Sequence, residues 1–149
     1  PILKLKKNYA NYGLILLGIP EQDEILFDTN TLIDIYKLIQ NKYNNIIFKD
    51  HPSSYYDTKF YEIGLNRIPR YYPVESVATN FQFIIADLSL SFIQLSKKKI
   101  KCISVINLIK KKDNYNSHSL LKIIQQDGDK EYIFTPNSLS ELFKILNIQ

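Results

Sequence analysis

The sequence predicts an α/β domain, a three-layer Rossmann-like fold with a mainly parallel sheet. Two observations predict it. Four short runs, at residues 12–17, 46–48, 81–86 and 100–106, are mainly apolar, and 46–48 is continuously so, as in strands covered on both faces. Helical patterns separate these runs, which is the β-α-β order of a parallel sheet.

In chain order, the first run, Tyr12 to Leu17, reads as a buried strand closed by Gly18-Ile19-Pro20. Residues 21–28 carry Glu21, Asp23, Glu24 and Asp28 and read as a carboxylate-rich loop. Thr31-Leu32-Ile33-Asp34 has the form of a capping box with Asp in place of Glu. Leu32, Ile35, Tyr36, Ile39 and Tyr43 then recur at helical spacing. Ile46-Ile47-Phe48 is the second strand, and it runs into Lys49-Asp50-His51-Pro52. Pro52 holds His51 extended and ends the pairing. The first β-α-β unit so spans about 30 residues, as a parallel crossover requires.

Residues 53–72 form a polar, Tyr-rich connection, with a short helix expected at 57–63 and a brief strand at Tyr71-Tyr72. Residues 73–78 read as a short helix with Pro73 at its first turn. After the third strand, 81–86, comes the loop 87–91, then a helix to about Lys98 and a fourth strand, 100–106. Residues 110–117 read as loop and 120–124 as helix, with a turn at Asp127-Gly128-Asp129 and an edge strand at 132–134. Ser138 and Glu141 form a capping box, and Leu139, Leu142, Phe143 and Leu146 give the last helix an apolar stripe.

Composition narrows the function classes. With 149 residues, 45% hydrophobic and 23% charged, the chain is long enough for one domain with a core of its own. It begins at Pro1 without Met, so residues 1–149 are expected to be one domain cut from a longer protein. No apolar run approaches the ~20 residues of a membrane span. Cys102 is the single cysteine, which excludes an intrachain disulfide and reads as a buried small hydrophobe. Two histidines and one cysteine make no zinc site. The net charge of +4 is concentrated in Lys97-Lys98-Lys99 and Lys110-Lys111-Lys112. These read as solvated helix ends and loops, or as a patch facing anionic lipid. No aromatic-glycine motif for RNA occurs, and no GxGxxG or Walker A pattern.

Parallel strands gather several polar residues along one sheet edge. Glu21, Asp23, Glu24 and Asp28 follow the first strand, His51 the second, and Asp87, Ser89 and Ser91 the third, while Glu75 opens the helix before it. Ligands of open α/β sheets bind at that edge. An imidazole and serine hydroxyls suit a phosphate, and a carboxylate suits a ribose diol. Each residue also has a plain structural reading: His51 a surface loop residue, Glu75 a first-turn carboxylate, Ser89 an N-cap, 21–28 a solvated loop. His118 reads as a helix-start or surface residue.

Phe48-Lys49-Asp50-His51-Pro52, then Ile68-Pro69, Pro73-Val74-Glu75 and Ile84 to Ser91, resemble the C-terminal half of bacterial sialyltransferases of glycosyltransferase family 52. Leu16-Leu17-Gly18-Ile19-Pro20 is similar to the strand-Gly-x-Pro step of that family. The resemblance spans roughly residues 14–106. It implies the C-terminal, nucleotide-sugar-binding half of a GT-B enzyme. That domain would hold CMP-sialic acid as donor, without a metal or other cofactor, and a glycan acceptor would enter beside an N-terminal domain of the parent chain. Carried over, His51 meets the CMP phosphate and assists its departure. Pro52 shapes the cytidine contact, Glu75 holds the ribose, and Ser89 and Ser91 bind phosphate. Gly18 belongs to the donor site, and Asp28 is the best-placed match for the general base, with Glu21, Asp23 and Glu24 as rivals. The family's Ser-Ser pair stands here as Ser89-Leu90-Ser91. The resemblance further implies a homodimer, and the chain is expected to be cytoplasmic. The lysine runs suit a peripheral position at the inner membrane face, and the lack of an RNA motif argues against a nucleic-acid partner. Two other readings stand beside it: a transferase domain using another donor such as UDP-glucose, and a non-catalytic α/β binding module.

Overall fold

A computed structural model describes residues 8–53, 66–112 and 117–148. The helix expected at 57–63 lies outside them. The described strands are β1 (Gly13–Leu16), β2 (Ile46–Lys49), β3 (Arg67–Ile68), β4 (Phe83–Ala86), β5 (Lys101–Ser104) and β6 (Ile133–Phe134). They form one six-stranded sheet in the order β3-β2-β1-β4-β5-β6, and every pairing is parallel. The helices are α1 (Pro20–Leu26), α2 (Thr29–Lys42), α3 (Val74–Val77), α4 (Ser91–Lys97), α5 (His118–Asp127) and α6 (Leu139–Ile145). This is the three-layer α/β architecture the patterning predicts.

Continuous apolar strands arise because both faces are covered. Ile15, Phe48, Ile85 and Ile103 point to one side and pack with Leu32, Tyr36 and Ile39 of α2 and Leu142 of α6. Leu14, Ile47, Ile84 and Cys102 point to the other and pack with Val77 of α3, Phe92 and Leu95 of α4 and Ile124 of α5. Cys102 is buried, and burial pushes its thiol up to about 12, so it is a packing residue.

Three local expectations change. Residues 20–26 are helix α1, not loop, with Pro20 in its first turn. Proline suits that position because the N–H it lacks would have no intrahelical partner. Helix α2 begins at Thr29 rather than after Thr31. Asp28 is its N-cap, and the carboxylate accepts from the Asn30 amide at 3.1 Å. The edge strand before α3 is Arg67–Ile68, with Ile68 paired to Lys49, while Tyr71 and Tyr72 lie in the turn that follows. At the C-terminus Ser138 caps α6 as expected, accepting from the Glu141 amide at 3.2 Å. Leu142 and Leu146 of that helix are buried, but Leu139 is exposed.

Helix α4 closes with Lys99 in the left-handed region, at φ 64°. The Lys99 and Ile100 amides donate back to the carbonyls of Ser96 and Leu95, and Leu95 and Ile100 are both buried. This is a Schellman ending with lysine where glycine is usual. Among the described residues, no helix is long and apolar enough to cross a membrane.

Candidate functional site

The strand order reverses between β1 and β4, and a ligand crevice opens at such a point beyond the carboxyl ends of the strands. The protein has a cleft of about 840 Å³ there. Gly18, His51, Pro52, Glu75, Ser89 and Ser91 all line it. Asp28 does not. It borders a different pocket, of about 780 Å³, with Glu24, Ile25 and Lys110, Lys111 and Lys112. Its position there follows from the chain path: the Asp28 amide donates to the Lys110 carbonyl, and Phe27 bridges Lys111.

His51 is half-buried just beyond β2. Its Nδ1 accepts from the Ser53 amide at 3.1 Å. In the neutral ring this places the proton on Nε2. Burial lowers the imidazole below its ordinary range, and the Lys49 cation lowers it further. Lys49 is only 3% exposed although it ends a central strand. Its ammonium donates to the Asp50 carbonyl at 3.1 Å. Burial lowers its pKa, partly offset by the Asp50 and Glu75 carboxylates. Asp50 is itself fixed by Arg67 at 2.7 Å, which ties the end of β2 to β3. Glu75 sits exposed in the first turn of α3.

Across the reversal the chemistry changes sign. Asp23 on α1 lines the cleft yet is 5% exposed, and its Oδ2 has no hydrogen-bond partner. The carboxylate folds back over Gly18, where a methyl group would overlap it, so a larger residue at that position would displace the carboxylate. Burial and then the Asp87 charge push Asp23 up to about 8. Asp87, directly after β4, is also buried, and burial pushes it up to about 6. Beneath them Tyr36 of α2 is 1% exposed, with a hydroxyl that lacks a partner. Burial, Asp87 and Asp23 together hold that phenol well above its usual range. The carboxyl pair therefore retains a proton between pH values of about 6 and 8.

Ser89 and Ser91 follow Asp87 in the connection from β4 to α4 and line the same cleft. The Ser89 hydroxyl oxygen accepts from the Ser91 amide at 3.3 Å, which leaves its own hydrogen to donate. Leu90 is already helical at φ −60° and ψ −25°, and the Ser89 carbonyl accepts from the Phe92 amide at 3.1 Å, so Ser89 caps the start of α4 through the Ser91 amide.

The cleft therefore brings together His51, Pro52, Glu75, Ser89, Ser91 and Gly18, and it excludes Asp28. No protein-family model matches the chain, and no curated protein does. Asp87, gathered at this edge by the sequence pattern, lines the cleft too, and so do Lys49, Arg70 and Tyr71, to which the sequence assigns no site role. The sequence leaves Asp23 as one of several rivals, because 21–28 has the composition of a loop. The signal that picks it out is Pro20 as a helix start, which sets Asp23, Leu26 and Phe27 on one face at helical spacing.

Proposed function

We propose that the cleft binds the nucleoside monophosphate of a nucleotide sugar, and that the chain is the donor-binding domain of an inverting sialyltransferase. CMP-sialic acid is the donor, and a bacterial surface glycan such as lipooligosaccharide is the acceptor. The observation that carries the reading is that His51, Glu75, Ser89 and Ser91, far apart in sequence, line one cleft at the strand-order reversal. Their order along the chain is also the order of the family-52 motifs they resemble.

The chemistry follows from the two halves. An acceptor hydroxyl attacks the sugar carbon, the carbon–oxygen bond to phosphate breaks, and CMP leaves with the electron pair. His51, with Nε2–H as donor, hydrogen-bonds the departing phosphate oxygen, and the Lys49 cation adds charge stabilisation. Ser89 donates to the same phosphate. Asp23, not Asp28, takes the acceptor proton, because among the described side chains of segment 21–28 it is the carboxylate buried in the cleft wall. A raised pKa makes it a stronger base once deprotonated.

Calorimetric titration of the chain with CMP tests this. Saturable binding is expected, and His51→Ala weakens it roughly 10- to 150-fold, the loss of one hydrogen bond to a charged group. Equal affinity in His51→Ala rejects the assignment. A diphosphate donor such as UDP-glucose is the second reading, favoured by Lys49 and Arg70 at the cleft. Competition between CMP and UDP decides: tighter UDP binding selects the second reading.

A further inference from the structure

β3 ends at Ile68, which pairs with Lys49. Just beyond the ends of these two strands, Arg70 and Tyr71 line the same cleft as His51 and Pro52. The chain turns at this point. The Tyr72 amide donates to the Pro69 carbonyl at 3.2 Å, so Arg70 and Tyr71 are the two central residues of a four-residue turn. Pro69 and Pro73 bracket the turn, and Pro73 is also the N-cap of α3. Proline at both ends leaves the tip little freedom to lose on binding.

Tyr71 is 69% exposed. Its ring lies 4.7 Å from that of Tyr72, tilted by 38°, and Tyr72 packs against the apolar layer around Ile68 and Val77. The backing ring orients Tyr71 while the rest of its surface opens on the cleft. A single exposed aromatic needs no explanation on a free loop. This one is pinned, and it borders the residues assigned to ribose and phosphate.

We infer that Tyr71 is the platform on which the nucleobase stacks. The inference rests on the nucleotide reading of the cleft and adds the base subsite to it. With phosphate against His51 and Ser89 and ribose at Glu75, the base lies over the Tyr71 ring, edged by Pro52 and Pro73. Stacking on an aromatic face is tolerant of base identity. Tyr71 therefore contributes affinity for the base without choosing between cytosine and uracil.

The test compares CMP with ribose 5-phosphate on the whole chain. In Tyr71→Ala, CMP binding falls roughly 10-fold, within the range for one stacked base, while ribose 5-phosphate binding is unchanged. Tyr71→Phe keeps CMP affinity within about 2-fold, because the face and not the hydroxyl is used. All three proteins remain folded, and loss of the Tyr72 ring contact lowers the thermal midpoint of Tyr71→Ala by only a few degrees. The inference is overturned if Tyr71→Ala weakens neither ligand, or weakens both equally. It is also overturned if the wild type binds CMP no tighter than ribose 5-phosphate. In that case, loss of ribose 5-phosphate binding in His51→Ala keeps the phosphate-and-ribose reading standing alone. A wild type that binds neither ligand removes both.

Discussion

The two edges of the sheet present depressions of similar size and opposite character. At the amino edge a pocket of about 720 Å³ is bordered by Asn11, Lys42, Tyr43, Asn44, Asn45, Gln82 and Asn147. Its polar groups answer one another: the Tyr43 hydroxyl donates to Gln82 at 2.7 Å, and the Gly13 amide to the Asn45 carbonyl at 2.9 Å. At the carboxyl edge Lys49, Asp23 and Asp87 are buried, and Asp23 and Tyr36 each keep an atom without a partner. Native proteins hydrogen-bond nearly all their buried polar atoms. Among the described residues the carboxyl edge is where this chain departs from that rule, and perturbed titration clusters at functional sites. The difference teaches that a depression alone says little; the state of its polar groups separates a site from a seam.

The comparison can be broken first at Asp23. A carboxyl raised in the folded state stabilises fully below its unfolded value near 3.8 and loses that contribution as pH rises to about 8. Between pH 7 and 8 Asp87, at about 6, is largely ionised, so Asp23 dominates the slope of this pair. Wild-type stability is expected to fall by about 1 kcal/mol over that unit, close to one proton's linkage. Over the wider span from pH 4 to 8 the loss reaches several times that. Asp23→Asn keeps the shape without the charge, and urea unfolding at the two pH values should show a markedly flatter dependence. An unchanged slope would mean that Asp23 titrates normally.

The amino edge supplies the controls. Phe83 on the neighbouring strand lays its ring against Gly13, so a methyl group at Gly13 would overlap the ring, which also meets Tyr43 edge-on at 5.1 Å. Gly13→Ala is expected to cost about 1–3 kcal/mol of stability by overpacking. CMP affinity of the folded fraction should not change. The smallest effect belongs to Tyr43→Phe, which removes the bond to Gln82 for about 1 kcal/mol. Loss of CMP binding in either variant would move the site to the wrong edge.

Much of the fold was legible because it depends on local pattern. The apolar runs at 12–17, 46–48, 81–86 and 100–106 mark β1, β2, β4 and β5, since burial on two faces leaves few polar positions in a strand; Lys49, Lys101 and Ser104 are the exceptions. The α1 helix was obscured by its composition: a carboxylate-rich heptad looks solvated until tertiary contacts bury one of its faces. The strand at Arg67–Ile68 is two residues long, too short to leave a period, and exists because β2 offers it an edge.

For the site, the sequence by itself determined which residue types follow each strand: His51 and Pro52 after one, Asp87, Ser89 and Ser91 after another. Parallel pairing then obliges them to share an edge. Only the tertiary structure decided which carboxylate of 21–28 enters the cleft. Helix α1 turns Asp23 inward over Gly18, while Asp28 is spent capping α2. It likewise decided that Asp23, Asp87 and Tyr36, from three separate elements, share one buried space. Chain order cannot specify that, because burial and mutual charge are properties of neighbours in space.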